Sequence, residues 1–86
     1  MIKNPSPLHP GVVLEEIYMK EMNLNQTQIA ALLSCAPRKI NEIINGKRGI
    51  SAEFAIELEK VLLTSASMWV RMQAEYDLYQ ARSKAA

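Results

Sequence analysis

The chain has 86 residues, room for one domain that buries only about 60–65% of its unfolded surface, and its 49% apolar and 22% charged residues are those of a folded globular protein. One cysteine, Cys35, and one histidine, His9, exclude an intrachain disulfide and a structural zinc site. No apolar run approaches the ~20 residues of a membrane span, Met1 to Pro10 lacks a signal-peptide stretch, and these absences point to the cytoplasm.

In chain order, residues 1–10 carry Pro5, Pro7 and Pro10 and are expected to form an extended arm. From 12 to 22, the residues Val13, Leu14, Ile17, Tyr18 and Met22 recur at three- and four-residue steps, the pattern of a first amphipathic helix. Asn25 is a natural N-cap for a second helix over 26–33, with Gln28 at the capping-box position. Ile29, Leu32 and Leu33 would form its buried stripe, and Ala30 and Ala31 are small enough to let another helix pass closely. Ser34-Cys35-Ala36 reads as a turn, with Cys35 packed in it. Pro37 then opens a third helix over 37–45, where its missing amide costs nothing. Ile40, Ile43 and Ile44 supply its inner face, and Gly46 ends it.

Ser51 caps a fourth helix over 52–63, with Glu53 in its first turn and Phe54, Ile56, Leu58, Val61 and Leu62 as its apolar face. Thr64 and Ser65 interrupt the pattern. Ser65 or Ser67 caps a fifth helix over 66–82, which carries Met68, Trp69, Met72, Tyr76 and Tyr79, and residues 83–86 should fray. No stretch alternates like a strand, so the fold class is all-α with five helices.

The centre of the chain has a mechanical logic. Two short helices joined by three residues cannot lie antiparallel; they cross steeply, with aliphatic inner faces, and the outer side of the second is left to enter a groove. The charge distribution agrees. The net charge of +1 hides a local +3 over residues 36–51, where Arg38, Lys39, Lys47 and Arg48 face only Glu42, against −2 for the remainder. Phosphate binding depends on that local face rather than on the total.

The segment from Asn25 to Gly46 resembles the helix-turn-helix of the phage repressor and Cro (Xre-type) family, with its lambda-repressor-like fold. The flanking stretches His9-Pro10-Gly11, Asn45-Gly46-Lys47-Arg48-Gly49-Ile50-Ser51, and Trp69 with Ala74-Glu75-Tyr76-Asp77-Leu78 resemble the HigA (VapI-like) antitoxins. The likeness spans residues 8–82. Two departures stand out. Ser34 occupies a turn position where many relatives have Gly, which implies a non-Gly residue at positive φ. Pro37 stands where repressor-type relatives often carry a polar base reader, so it could offer only apolar contact, for instance to a thymine methyl.

On this reading the base-reading candidates are Pro37, Arg38, Asn41 and Glu42. Arg38 can fork two acceptors of guanine, or serve as a phosphate clamp. Asn41 can pair with adenine. Glu42 can accept from a cytosine amino group or orient Arg38 at the i,i+4 spacing. Asn25, Gln26, Lys39, Asn45, Lys47 and Arg48 are the candidate phosphate contacts, Gln26 by resemblance and otherwise an idle neighbour of the cap. His9 fits a structural role at the start of the first helix. Trp69, Met72, Tyr76 and Tyr79 are candidates for core packing or for contact with a second copy.

The resemblance implies an antitoxin that binds an operator as a homodimer, neutralises a RelE-like messenger-RNA endonuclease toxin and represses the operon encoding both. A free-standing repressor and a protein-binding helical module without DNA binding are the alternatives. No catalytic set, cofactor loop or metal cluster is legible, so no enzyme, cofactor or metal site is expected.

Overall fold

A computed structural model describes residues 6–85, and residues 1–5 of the expected arm and 86 of the expected frayed end lie outside the described residues. Five helices follow one another, with no strand among the described residues. Helix α1 begins as α-helix at Pro10–Val13 and continues without a break as a π-helical stretch, Leu14–Met19. Helices α2 (Gln26–Leu32), α3 (Pro37–Ile44), α4 (Ala52–Leu62) and α5 (Ala66–Ala85) complete the chain. α5 runs through residues 83–85, beyond the expected end at 82.

The π-helical stretch corrects the expected face of α1. With hydrogen bonds spanning five residues instead of four, side chains five apart share a side. Leu14 and Met19 are buried, and Val13 and Tyr18 pack against the core beside them. Ile17 and Met22, which an α-helical period would turn inward, are 51% and 45% exposed. Two further aliphatics are displaced. Leu32 is exposed while Ala30 and Leu33 are buried, and Ile56 is exposed while Ala55 is buried. In both helices a fully buried alanine faces the core in place of the larger aliphatic nearby.

Leu14, Ile29, Ile40, Ile43, Leu58 and Trp69 form the fully buried centre. Local chemistry fixes the helix ends around it. Asn25 and Gln28 make the reciprocal capping box, each bond 2.8 Å long. α2 closes with Cys35 N–H donating to the Ala30 carbonyl and Ser34 N–H to the Ala31 carbonyl, the Schellman pattern, with Ser34 left-handed at φ 55°. α3 closes identically at Gly46, φ 72°, through Gly46 N–H to Ile43 and Lys47 N–H to Glu42. Ser51 Oγ accepts from Phe54 N–H to cap α4. Of the two candidate caps of α5, Ser65 accepts from Met68 N–H at 3.4 Å, and Glu59 reaches across from α4 to accept from Ala66 N–H.

The His9-Pro10-Gly11 stretch determines how α1 meets α3. His9 Nδ1 accepts from Gly11 N–H at 3.0 Å and so caps α1, Pro10 takes the first helical turn, and Gly11 lies against the α3 backbone. A Cβ on Gly11 would stand 1.9 Å from the Ile43 carbonyl oxygen and 2.9 Å from Ile44 Cα. The His9 ring lies beside Gly46 and meets Tyr76 edge-on, with centroids 4.9 Å apart.

Two predictions follow from this junction. Gly11→Ala should destabilise by about 1–3 kcal/mol, because the opposing atoms are backbone and cannot rotate away. Calorimetry would register this as a fall in Tm of at least about 4 °C; an unchanged Tm would show that the helices can separate at no cost.

Burial lowers the His9 pKa below its ordinary 6.5, against an opposing pull from the Asp77 carboxylate. Between the lowered value and 6.5 the unfolded chain holds more protons than the folded one, so stability is complete above about pH 6.5 and falls as the pH drops through that window. His9→Asn, which keeps a capping acceptor, should remove this part of the slope in melts at pH 5 to 8. The ring-proton shifts of this sole histidine give the folded pKa directly.

Candidate nucleic-acid interface

α3 presents two unlike sides. Ile40, Ile43 and Ile44 are buried in the core, where α1 and α2 pack against this helix, and the opposite side carries Pro37, Arg38, Asn41 and Asn45, all exposed. Nothing among the described residues covers this side. Asn45 folds back, its side-chain amide donating to the Asn41 carbonyl at 2.8 Å. Arg38 is 86% exposed, with Nε 3.5 Å from Glu42 Oε2.

Glu42 is the junction of the charged groups. Its Oε1 accepts from Arg48 Nη2 at 2.8 Å and from Arg48 Nε at 3.0 Å. Its backbone carbonyl accepts from the amides of Lys47 and Arg48 at 2.8 and 3.2 Å. The basic loop after α3 is therefore tied to that helix through this one residue. The far side of the loop is held by Gln73 of α5, whose Oε1 accepts from Ile50 N–H at 2.8 Å while its Nε2 donates to Asp77. Gln73 was not among the sequence candidates, although its i+4 spacing from Trp69 on an otherwise apolar face was a legible signal.

The remaining candidates divide. Lys47 and Arg48 are exposed beside the α3 face, and Asn25 and Gln26 lie at the start of α2, Asn25 with its side-chain oxygen engaged in the capping box. Lys39 turns to the flank, its ammonium 4.4 Å from the centre of the Phe54 ring. Cys35 is half-buried, and burial pushes its thiol pKa up against a smaller opposing effect of Lys39, the reverse of what a nucleophile needs.

Trp69 corrects the expectation of contact with a second copy. It is fully buried within the single chain, tilted against Tyr18 at 5.5 Å, with its indole N–H donating to Thr64 Oγ1 at 2.7 Å. Tyr76 packs on His9, and the Tyr79 hydroxyl accepts from Ser6. Met72 lines a groove of about 640 Å³ with Pro7, Leu8, Val13, Met68 and Arg71.

A helix-turn-helix family model matches residues 16–69, which include every element of this site from Asn25 to Arg48. The chain belongs to the Xre-type helix-turn-helix family. It is 41% identical over 80 residues to virulence-associated protein I of Dichelobacter nodosus, covering 92% of this chain and 74% of that protein. Among solved structures it is similar to the Pseudomonas aeruginosa antitoxin HigA with the higBA promoter, at 35% identity and TM-score 0.87, covering 91% of this chain and 85% of that one. A Pseudomonas aeruginosa protein in complex with 18 bp of its operator DNA matches at 33% identity and TM-score 0.88, covering 94% of this chain and 87% of that one. The lambda-repressor-like, five-helix fold and the place of this chain among DNA-binding antitoxins and regulators, rather than enzymes, stand on these matches and on the geometry above.

Arg38→Ala tests the exposed side of α3. It should weaken binding to the preferred duplex by roughly 1–3 kcal/mol and relax the preference at one base pair. Fluorescence anisotropy with single-base variants measures both. An equal loss on every duplex would make Arg38 a phosphate contact instead.

Proposed function

We propose that this protein is a sequence-specific DNA-binding antitoxin that represses its own operon and neutralises a RelE-like messenger-RNA endonuclease toxin in the cytoplasm. One observation carries the DNA-binding half: the recognition helix buries three isoleucines and leaves Arg38 and Asn41 open beside Lys47 and Arg48. Arg38, Asn41 and Pro37 are the base-facing set, with Glu42 on the same side either accepting from a cytosine amino group or orienting Arg38. Lys47 and Arg48, with Asn25, Gln26, Lys39 and Asn45, hold the backbone and set the register. The toxin half rests on the HigA likeness.

The protein acts as a homodimer. Pairing would carry two recognition helices to half-sites one turn apart, about 34–36 Å along the duplex. The half-buried Met72, Tyr76 and Tyr79 with exposed Leu8 give the apolar side for that pairing, in place of the enclosed Trp69.

Co-expression with the neighbouring reading frame, followed by footprinting of the shared promoter, tests the whole proposal. The expected result is a stable complex with a small basic protein and two protected half-sites related by a dyad. Protection without a complex would leave a free-standing repressor. Binding to random DNA as tight as to the promoter, at low salt, would leave a protein-binding module.

A further inference from the structure

Resting on the reading that the open side of α3 binds operator DNA, one arrangement goes further than a roll of contacts. An acidic side chain sits on the side that meets a polyanion, where its charge opposes binding to any duplex. Stability does not account for it, since ion pairs this exposed contribute little to folding. Arg38 is 86% and Arg48 50% exposed at the side chain, and Glu42 25%.

The geometry offers a different reason. Glu42 accepts hydrogen bonds from Arg48 Nε and Nη2 and approaches Arg38 at Nε, 3.5 Å away, with no hydrogen bond to Arg48 Nη1 or to either terminal nitrogen of Arg38. An arginine held by its inner nitrogen loses rotational freedom before it meets its target and keeps its outer donors. One carboxylate thus sets two guanidinium groups from two different elements, the recognition helix and the loop after it.

We propose that Glu42 is the specificity-setting positioning residue of this interface: it holds Arg48 by hydrogen bonds and draws Arg38 alongside, ready for a matched site, while its charge opposes every duplex alike. Discrimination is a difference of two affinities. The charge lowers both alike, and the positioning of the arginines recovers affinity only on the matched site, so the gap comes from geometry while the charge keeps unmatched binding low. The local charge over residues 36–51 would rise from +3 to +4 if the carboxylate were neutralised.

The test compares the full-length protein and its variants on the footprinted operator duplex and on a scrambled duplex of equal length, by anisotropy across a salt series. In Glu42→Gln the operator affinity should fall several-fold, the scrambled affinity should rise, and their ratio should drop by at least about tenfold. The salt slope on scrambled DNA should steepen by about one. Tm should hold, because the backbone carbonyl that receives the loop amides is untouched. Two variants separate the contributions. Glu42→Asp keeps the charge but shortens the reach, and Arg48→Lys keeps the charge but loses the Nε contact. Both should weaken operator binding and leave scrambled binding near that of the parent protein.

A preference undiminished in Glu42→Gln overturns the inference. So does a relaxed preference confined to one C·G pair that Arg38 does not govern, because Glu42 would then be reading that base itself. A fall in Tm with both affinities dropping in step would reduce Glu42 to a structural part. A parent protein with no operator preference would instead defeat the functional reading, and this inference with it.

Discussion

The contact between two helix backbones at Gly11 and Ile43 underlies everything on the outer surface. A helix can rest its backbone on another only where side chains are missing between them, and here the carbonyl of Ile43 occupies the space a Cβ would fill. That approach lets α1 back α3 directly, so the recognition helix is pressed outward and its polar side stays open. The ring of His9 closes the same junction from beside Gly46 and is in turn bordered by Tyr76 of α5. Three sequence stretches that are far apart in the chain, around residues 9–11, 45–46 and 73–77, meet at one point. Their recurrence together in one sequence reflects one joint rather than three separate signatures.

The second theme is the treatment of charge. A chain with a net charge of +1 has little long-range attraction for DNA, and the positive side is built locally by four bases around one acid. The acid is not surplus. It gathers the loop through its backbone carbonyl and the two arginines through its carboxylate. Lys39 is drawn instead to the Phe54 ring, where its ammonium meets a π face and its stem covers apolar surface. Equal charges on neighbouring residues are therefore braced by different partners, decided by the surface each can reach.

What the sequence made legible were features determined within a few residues. The Asn25–Gln28 box, the Pro37 start, the Gly46 stop and the triple-isoleucine face each follow from local stereochemistry, and the positive φ of Ser34 was legible only through the resemblance to relatives with Gly there. What it hid depended on distant partners. The π-helical stretch in α1 turns Ile17 outward and Met19 inward, and no 3.6-residue period reports it. Leu32 and Ile56 lost their expected places to the buried alanines Ala30 and Ala55, which a ranking by side-chain size does not foresee. Gln73 finds its partner at Ile50, 23 residues back, so only the fold brings them together. Of the candidate site, the side of α3 was readable from periodicity. The sharing of Glu42 between Arg38 and Arg48 was only half readable, since the helical spacing to Arg38 is local and the return of the loop is not.

The enclosure of Trp69 has an optical consequence. It is the only tryptophan in the chain, and its indole bridges α5 to Tyr18 of α1 and to Thr64 at the corner before α5. Intrinsic emission therefore watches a single event, the seating of the last helix on the first. A red shift without loss of helical ellipticity would mean that α5 had lifted from an otherwise intact set of four helices, α1 to α4, and a shift that tracks the ellipticity would mean that the two parts melt as one body.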